Sequence, residues 1–259
     1  MRNLSNINRI TIKVGTSTLT NPDDSLNERV IQQLVDVVAT LQKSGKAVAI
    51  VTCGAIATGV ARLRLQYFPT DIKIKQAAAS VGQPHLMHIY DKYFAPHGIA
   101  VGQILMTKYT TQRDDSLSNV ANTMNTLFAH GAIPIINEND PVINDEIRLG
   151  DNDTLAAHVA TTMQADLLIF LTNTNGLYDR DPRLPGAQII PEVNAITDQI
   201  KSGAVGTSSP RSTGGMATKL AAAVVASKSG AKTIILNGNN PANILEVLRG
   251  ARVGTFISL

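Results

Sequence analysis

The sequence predicts an α/β fold in which an open, mainly parallel sheet is sandwiched by helices, and two observations indicate it. Short, continuous apolar runs alternate with segments of helical periodicity along the whole chain. Such runs are typical of parallel strands covered on both faces, and their alternation with helices is typical of doubly wound sheets. We assign strands to residues 9–14, 47–52, 99–106, 132–136, 166–171 and 232–236.

Three of the intervening helices have recognisable ends. Ser25 and Glu28 have the spacing of a capping box, so a helix is predicted to begin there and to end before Gly45. A second helix is predicted to end before Gly131, and a third to span residues 216–228. The two glycines support these helix ends, because many helices are followed by a residue of left-handed conformation, which is usually glycine.

The composition argues against several classes of function. Of the 259 residues, 4% are aromatic and none is Trp, which disfavours recognition by base stacking. The net charge of +3 forms no long basic stripe, so no nucleic-acid partner is predicted. No apolar run approaches the roughly 20 residues of a membrane span, and Cys53 is the single cysteine. We therefore expect a cytoplasmic protein with no membrane partner.

The unusual polar and glycine-rich segments follow the predicted strands, where ligands of open α/β sheets bind. Lys13 and Gly15 end the first strand and suit a phosphate site, although a solvated lysine would have the same pattern. The small residues 53–59 suit either a ligand or close packing of a helix on the sheet. Cys53 itself fits either a site residue or a small buried apolar residue.

Two further segments complete the candidate site. Residues 136–140 and 150–153 concentrate carboxylates and amides that can bind an amino acid, and Asp153 also suits the N-cap of the next helix. Residues 213–219 place glycines before a helix with Lys219 in its first turns, a phosphate site without the Walker A order. His85 and His88 have no evident carboxylate or thiol partner, so no metal site is predicted.

Together these segments resemble the amino-acid kinase family over essentially the whole chain. Within that family they are most similar to the members that phosphorylate glutamate. The motifs that carry the resemblance are residues 13–17, 76–79, 82–83, 136–140, 150–153, 172–183 and 214–219. The resemblance implies a single kinase domain over residues 1–259, in which residues 1–165 bind glutamate and residues 166–259 bind the nucleotide.

The resemblance also implies a reaction and its residues. ATP, accompanied by Mg²⁺, would phosphorylate the γ-carboxylate of L-glutamate as the first step of proline biosynthesis. Lys13 and Lys219 would contact the phosphates, and Asp151 would hold the two lysines in position. The residues expected to bind glutamate are Cys53, Gly54, Ala55, Asp140, Asn152 and Asp153. Those expected to bind the nucleotide are Lys13, Gly15, Thr172, Asn173, Tyr178, Thr213, Gly214, Gly215, Met216, Ala217, Thr218 and Lys219.

Three departures from the family pattern stand out. Cys53 replaces the usual Ser, Asn173 replaces the usual Asp, and no PUA domain of the kind that follows many family members is found in these residues. The resemblance further implies a homodimer or homotetramer, with proline as a feedback inhibitor. The alternatives are a kinase for N-acetylglutamate or aspartate, and a non-catalytic amino-acid sensor. The acidic segments favour glutamate, and the presence of Lys13, Asp151 and Lys219 favours an enzyme.

Overall fold

The computed structural model describes residues 4, 6–143, 151–204 and 214–259. The strands found there are β1 (Arg9–Val14), β2 (Ala47–Val51), β3 (Val101–Met106), β4 (Ile133–Glu138), β5 (Leu167–Thr172), β6 (Glu192–Val193), β7 (Lys232–Asn237) and β8 (Thr255–Ile257). The longer helices are α2 (Glu28–Lys43), α3 (Ala55–Arg62), α4 (Ile72–Phe94), α6 (Asp114–Ala129), α7 (Asn152–Thr162) and α9 (Met216–Ser227). The short ones are α1 (Thr16–Leu19), α5 (Lys108–Thr111), α8 (Asp198–Gly203) and α10 (Asn243–Leu248).

These strands form one sheet in the order β3-β4-β2-β1-β5-β7-β8-β6. Every pairing is parallel except that of β7 with β8, so the prediction of an open, mainly parallel sheet is confirmed. β1 lies between β2 and β5, with Lys13 opposite Val51 on one side and Phe170 on the other. The carboxyl ends of β4, β2, β1, β5 and β7 therefore meet along one edge, where such folds bind ligands.

Alternation along the strands divides the core into two layers. Ile10, Ile12 and Val14 of β1 pack with the apolar residues of α2, the second half of α4 and α10. The opposite face carries Val51 and Phe170, which pack with α6, α7 and α9. Because successive side chains of a strand point to opposite faces, Lys13 belongs to the α7 and α9 side of the sheet.

The predicted ends of α2 and α6 agree with the structure in all but one case. Gly45 and Gly131 follow α2 and α6 with φ angles of 84° and 68°, as predicted. The predicted capping box at Ser25 is wrong, because Asn27 caps α2 and its side chain accepts a hydrogen bond from the N–H of Val30. The Ser25 hydroxyl instead donates to Asp23 at 2.6 Å, within the preceding turn.

The 23-residue helix α4 was not predicted as an element, although it is the longest helix among the described residues. Its apolar residues form no single stripe, and Pro84 lies inside it. α4 packs on α3 with its backbone almost in contact, because a Cβ on Gly82 would lie 1.9 Å from the carbonyl oxygen of Ala55. A Cβ on Gly59 would likewise lie 1.8 Å from the carbonyl oxygen of Ala78. The formation of this helix therefore depends on its tertiary contacts more than on its sequence pattern.

The strands β6 and β8 were also missed. They contain two and three residues, which is too short for an alternation of apolar and polar residues to be recognised. None of the described helices is both long and apolar enough to cross a membrane.

Candidate active site

Two buried lysines share one buried carboxylate at the carboxyl edge of the sheet. The Nζ atom of Lys13 lies 2.7 Å from Oδ1 of Asp153, and Nζ of Lys219 lies 3.0 Å from Oδ2. Lys13 is the penultimate residue of β1, Asp153 lies in the first turn of α7, and Lys219 lies in the first turn of α9. The two lysines are 6% exposed, and Asp153 is fully buried.

The electrostatics of this triad keep its carboxyl group ionised. Burial alone would raise the pKa of Asp153, but the two ammonium groups and their hydrogen bonds lower it to about 2. Burial also acts against the charge on Lys13, yet the Asp153 carboxylate, through its charge and its hydrogen bond, raises the pKa of Lys13 above its ordinary value. The pKa of Lys219 is lowered, chiefly by burial and partly by Lys13, against the opposing effect of Asp153. One ionised carboxylate therefore lies between the two lysine side chains.

The structure exchanges the roles that the sequence analysis gave to Asp151 and Asp153. Asp151 is the N-cap of α7, where its Oδ1 accepts a hydrogen bond of 2.9 Å from the N–H of Thr154. Asp153, which had been a candidate cap, is the carboxylate that joins the lysines. The physical reason is helix geometry: the capping residue sits before the first turn, whereas Asp153 projects from it toward β1 and α9.

The glycines before α9 allow this close arrangement. A Cβ on Gly214 would lie 2.7 Å from Oδ2 of Asp153 and 3.2 Å from Oδ2 of Asp151. The Thr218 hydroxyl donates to Oδ2 of Asp153 at 2.7 Å and accepts from the N–H of Gly215 at 2.9 Å. Only a glycine at position 214 lets the loop backbone pass beside both carboxylates.

A polar cleft opens beside the two lysines. Its described lining consists of Lys13, Gly15, Ser17, Thr172, Asn173, Thr174, Gly214, Gly215, Met216 and Lys219. Eight of these ten residues were expected to bind the nucleotide or to be catalytic. Ser17 and Thr174 had not been assigned a role, although each lies one or two residues from an assigned position. The residues that line this cleft come from the ends of β1 and β5 and from the start of α9.

Other residues expected at the nucleotide do not line this cleft. Tyr178 pairs with Ile189 in an isolated bridge, and Ala217 is exposed on α9. Gly15 lies on the cleft, but its N–H donates to the carbonyl of Leu171 at 3.1 Å, so that amide joins β1 to β5. Thr213 lies outside the described residues, as does Gly150 of the acidic segments.

The residues expected to bind the amino acid gather on the other side of the triad. Asn152, the first residue of α7, donates from Nδ2 to the carbonyl of Thr52 at 2.6 Å, to Oδ1 of Asn137 at 2.8 Å and to Sγ of Cys53 at 3.3 Å. Burial raises the pKa of the Cys53 thiol, which keeps it neutral. Gly54 adopts a φ of 95° and lets the chain turn into α3 at Ala55.

Asp140 begins the short 3₁₀ turn Asp140–Val142 directly after β4 and is half-buried. Two further residues without a predicted role lie here, Gln83 of α4 and Gln103 of β3. They extend the hydrogen bonds of Asn137 away from the cleft. Gln83 had been noted only as part of a motif. What marks Gln83 is its burial in the structure, because it is a polar residue only 7% exposed on the same buried face of α4 as Ala79 and Leu86.

The chain is similar to known proteins over most of its length. The family model described as "Amino acid kinase family" matches residues 8–237. The chain is 46% identical over 254 residues to the glutamate 5-kinase of Clostridium acetobutylicum. This match covers 98% of this chain and 95% of that protein. It is 45% identical over 260 residues to the glutamate 5-kinase of Listeria welshimeri, and the match covers 98% of this chain and 94% of that protein.

Solved structures are similar in fold at much lower identity. An isopentenyl phosphate kinase of T. acidophilum, crystallised as a product complex, superposes with a TM-score of 0.66 at 17% identity. The match covers 96% of this chain and 99% of that one. A substrate complex of isopentenyl phosphate kinase superposes with a TM-score of 0.67 at 18% identity. From the matched family model, its extent and the full-length relatives, the chain belongs to the amino acid kinase family.

Proposed function

We propose that the protein transfers the γ-phosphoryl group of ATP to the γ-carboxylate of L-glutamate, giving L-glutamyl 5-phosphate and ADP, the first step of proline biosynthesis. The observation that carries the proposal is the Lys13–Asp153–Lys219 triad between a polar cleft and the half-buried amide of Asn152. The relatives of 44–46% identity that are glutamate 5-kinases support the choice of acceptor.

The cleft beside Lys219 suits the triphosphate. Lys13, Lys219 and the backbone of Gly214 and Gly215 line it, so positive charge and a backbone without side chains face the same space. The loop approaches the two carboxylates this closely because position 214 has no Cβ. ATP and its Mg²⁺ fit this donor set, since Mg²⁺ in such enzymes is held largely by phosphate oxygens and water. Asp151, beside Gly214, is the nearest carboxylate to the loop apart from Asp153.

The triad performs the electrostatic part of the reaction. Two anions must approach each other, and their repulsion is offset when ammonium groups are held in place beforehand. Lys13 and Lys219 stabilise the charge that spreads over the phosphoryl oxygens in the transition state. Asp153 orients both lysines and, by keeping one negative charge between them, allows both to stay buried.

The acceptor needs no general base. A γ-carboxylic acid is ionised at neutral pH because its pKa is about 4.3, so its oxygen attacks as an anion. The protein contributes by holding this oxygen in position to attack the phosphoryl group. We assign the amino-acid end of glutamate to Asn152 and Asp140 and the reacting carboxylate to the side of Lys13. Cys53 lies between the two, in contact with Asn152 and within the electrostatic reach of Lys13.

Four finer features belong to the same proposal. We propose that Mg²⁺ is required, that proline inhibits at the glutamate site, and that the chain forms a homodimer or homotetramer in the cytoplasm. Removal of Mg²⁺ with a chelator should abolish turnover, and millimolar proline should raise the KM for glutamate. Light scattering of the purified protein measures the assembly. Activity unchanged by proline, or a monomer throughout the active concentration range, would remove the corresponding feature.

The reaction is tested by trapping the acyl phosphate. The purified protein is incubated with ATP, Mg²⁺ and hydroxylamine, and acyl-hydroxamate is measured with glutamate, N-acetylglutamate or aspartate as the acceptor. We expect a signal with glutamate alone. A signal with another acid would keep the chemistry and change the substrate. No signal with any of the three, together with ATP binding, would indicate a sensor that does not catalyse.

A further inference from the structure

We propose that Gln83 is a positioning residue that holds the substrate-facing amide of Asn152 in one orientation and thereby selects acceptors with an α-ammonium group. The inference rests on the proposed function, because it concerns how that site recognises its amino acid. Gln83 lies on α4, outside the described lining of the polar cleft, and is assigned no part in the chemistry. It acts through a chain of amides that we call the amide relay, formed by Gln103, Gln83, Asn137 and Asn152.

The amide relay is continuous. Nε2 of Gln83 donates to Oε1 of Gln103 at 3.2 Å, and Oε1 of Gln83 accepts from Nδ2 of Asn137 at 2.8 Å. Oδ1 of Asn137 in turn accepts from Nδ2 of Asn152 at 2.8 Å. The two inner members are buried, with Gln83 7% exposed and Asn137 2% exposed. Gln103 is exposed at the outer end, and Asn152 is half-buried at the inner end.

Two backbone groups fix the direction of the hydrogen bonds along the relay. The N–H of Glu138, which can only donate, points at Oδ1 of Asn137 at 2.9 Å. The carbonyl of Thr52, which can only accept, receives Nδ2 of Asn152 at 2.6 Å. With Oδ1 of Asn137 so committed, its Nδ2 must find an acceptor elsewhere, and Oε1 of Gln83 is that acceptor. A reversed Asn137 would place donors against donors.

The direction of the relay determines what Asn152 offers to a substrate. Both hydrogens on its Nδ2 are used by Thr52 and Asn137, with Cys53 as a third, weaker neighbour. No donor of the described residues reaches its Oδ1. Asn152 therefore presents an acceptor, and a ligand group beside it must donate. An α-ammonium group satisfies this, whereas a carboxylate or a methylene group does not.

Loss of the Gln83 oxygen would leave a buried N–H of Asn137 without an acceptor. Such a group is unfavourable enough that the side chain rotates to find another partner, and Asn152 would then lose its fixed neighbour. The contact with the α-ammonium group is made equally in the ground state and in the transition state. Its loss therefore raises the KM and leaves kcat little changed.

The test compares glutamate with glutarate, which has the same two carboxylates and no ammonium group. In Gln83→Met we expect the KM for glutamate to rise about tenfold, with kcat and the KM for ATP changed less than about twofold. Activity with glutarate should stay the same, so the preference for glutamate falls about tenfold. Gln83→Glu keeps the oxygen that faces Asn137 and should restore most of the preference. Ser80→Ala, at an exposed position of α4 outside the amide relay, is the matched control and should behave as the wild type.

A purely structural role would give a different pattern. Gln83→Met would then lower the melting temperature and reduce activity with both acids in parallel, and Gln83→Glu would do the same; either result overturns the proposal. Gln83→Asn, whose amide falls one methylene short of Asn137, replaces the Met variant should that one fail to fold. If the wild type forms no hydroxamate with glutamate, the proposed function fails and the selection by Gln83 fails with it. If the wild type forms hydroxamate with glutamate but Gln83→Met has the same preference for glutamate over glutarate, the selection by Gln83 is overturned and the proposed function stands.

Discussion

At the scale of single residues, two carboxylates separated by one residue have different tasks. Asp151 satisfies a free N–H at the start of α7, and Asp153 compensates two buried lysines. The sequence places both in one short segment but does not distinguish them, because either could cap the helix. The difference arises from the position of β1 and α9, which only the assembled sheet sets.

Asp153→Asn should lower kcat about 10²- to 10³-fold, which is the size of effect seen when one preorganised charge contact is removed. The amide cannot neutralise Lys13 and Lys219, which then repel each other and lose their orientation. Hydroxamate formation at saturating substrates measures the change, with circular dichroism as the check on folding.

Asp151→Asn is the control, because Asn also caps helices well. It should keep kcat within about tenfold of the wild type. An equal loss in both variants would restore Asp151 to the position that the sequence analysis gave it.

The stability of the protein should fall in acid through Asp153. Its folded-state pKa of about 2 lies below the unfolded value of about 3.9. The stabilisation is therefore complete above the unfolded pKa and is lost as the pH falls through the folded pKa, a change of roughly 2–3 kcal/mol for this one group. Urea unfolding at several values between pH 5 and pH 2 measures it. Asp153→Asn should show a shallower decline over the same window, and an identical decline would exclude this origin.

At the scale of elements, the contact between α3 and α4 shapes the acceptor site. α3 begins at Ala55, directly after Cys53 and Gly54, and the carbonyl of Ala55 lies against Gly82 of α4. Any shift of α4 is therefore passed to the turn that follows β2. Gln83, the next residue of α4, belongs to the amide relay, so one helix turn serves both the packing and the site.

Gly82→Ala should destabilise the protein by about 3 kcal/mol or more, at the upper end of overpacking effects. The added Cβ would meet the carbonyl oxygen of Ala55 at 1.9 Å, and a backbone atom cannot move aside as a flexible side chain can. Denaturant unfolding measures the loss. Val81→Ala, at the neighbouring exposed position, is the control and should stay within about 0.5 kcal/mol of the wild type. A small effect of Gly82→Ala would mean that α3 and α4 separate easily.

At the scale of the whole molecule, one edge of the sheet brings together the two places that we propose for the nucleotide and the acceptor. The polar cleft uses the ends of β1 and β5 with the start of α9, and the proposed acceptor side uses the ends of β2 and β4 with the start of α7. Residues far apart in sequence thus meet because parallel strands all end at the same edge.

A non-hydrolysable ATP analogue with Mg²⁺ should raise the melting temperature of the wild type by about 5–10 °C at 100 times its Kd. Lys219→Met should reduce this shift at the same concentration, because the ammonium group that faces the phosphates is gone. Lys228→Met, at the exposed carboxyl end of α9, should retain the full shift. Differential scanning fluorimetry measures all three. An equal shift in Lys219→Met would place the triphosphate elsewhere.

The sequence by itself determined the fold class, the six longer strands, and most residues of the cleft, since each depends on local periodicity or on the residue types directly after a strand. Only the tertiary structure decided which aspartate holds the lysines, that α4 is one long helix packed through Gly59 and Gly82, and that Gln83 joins the acceptor site. The physical reason is that these features depend on contacts between elements. A helix without a single apolar stripe and a hydrogen bond between residues 54 positions apart leave no periodic signal in the chain.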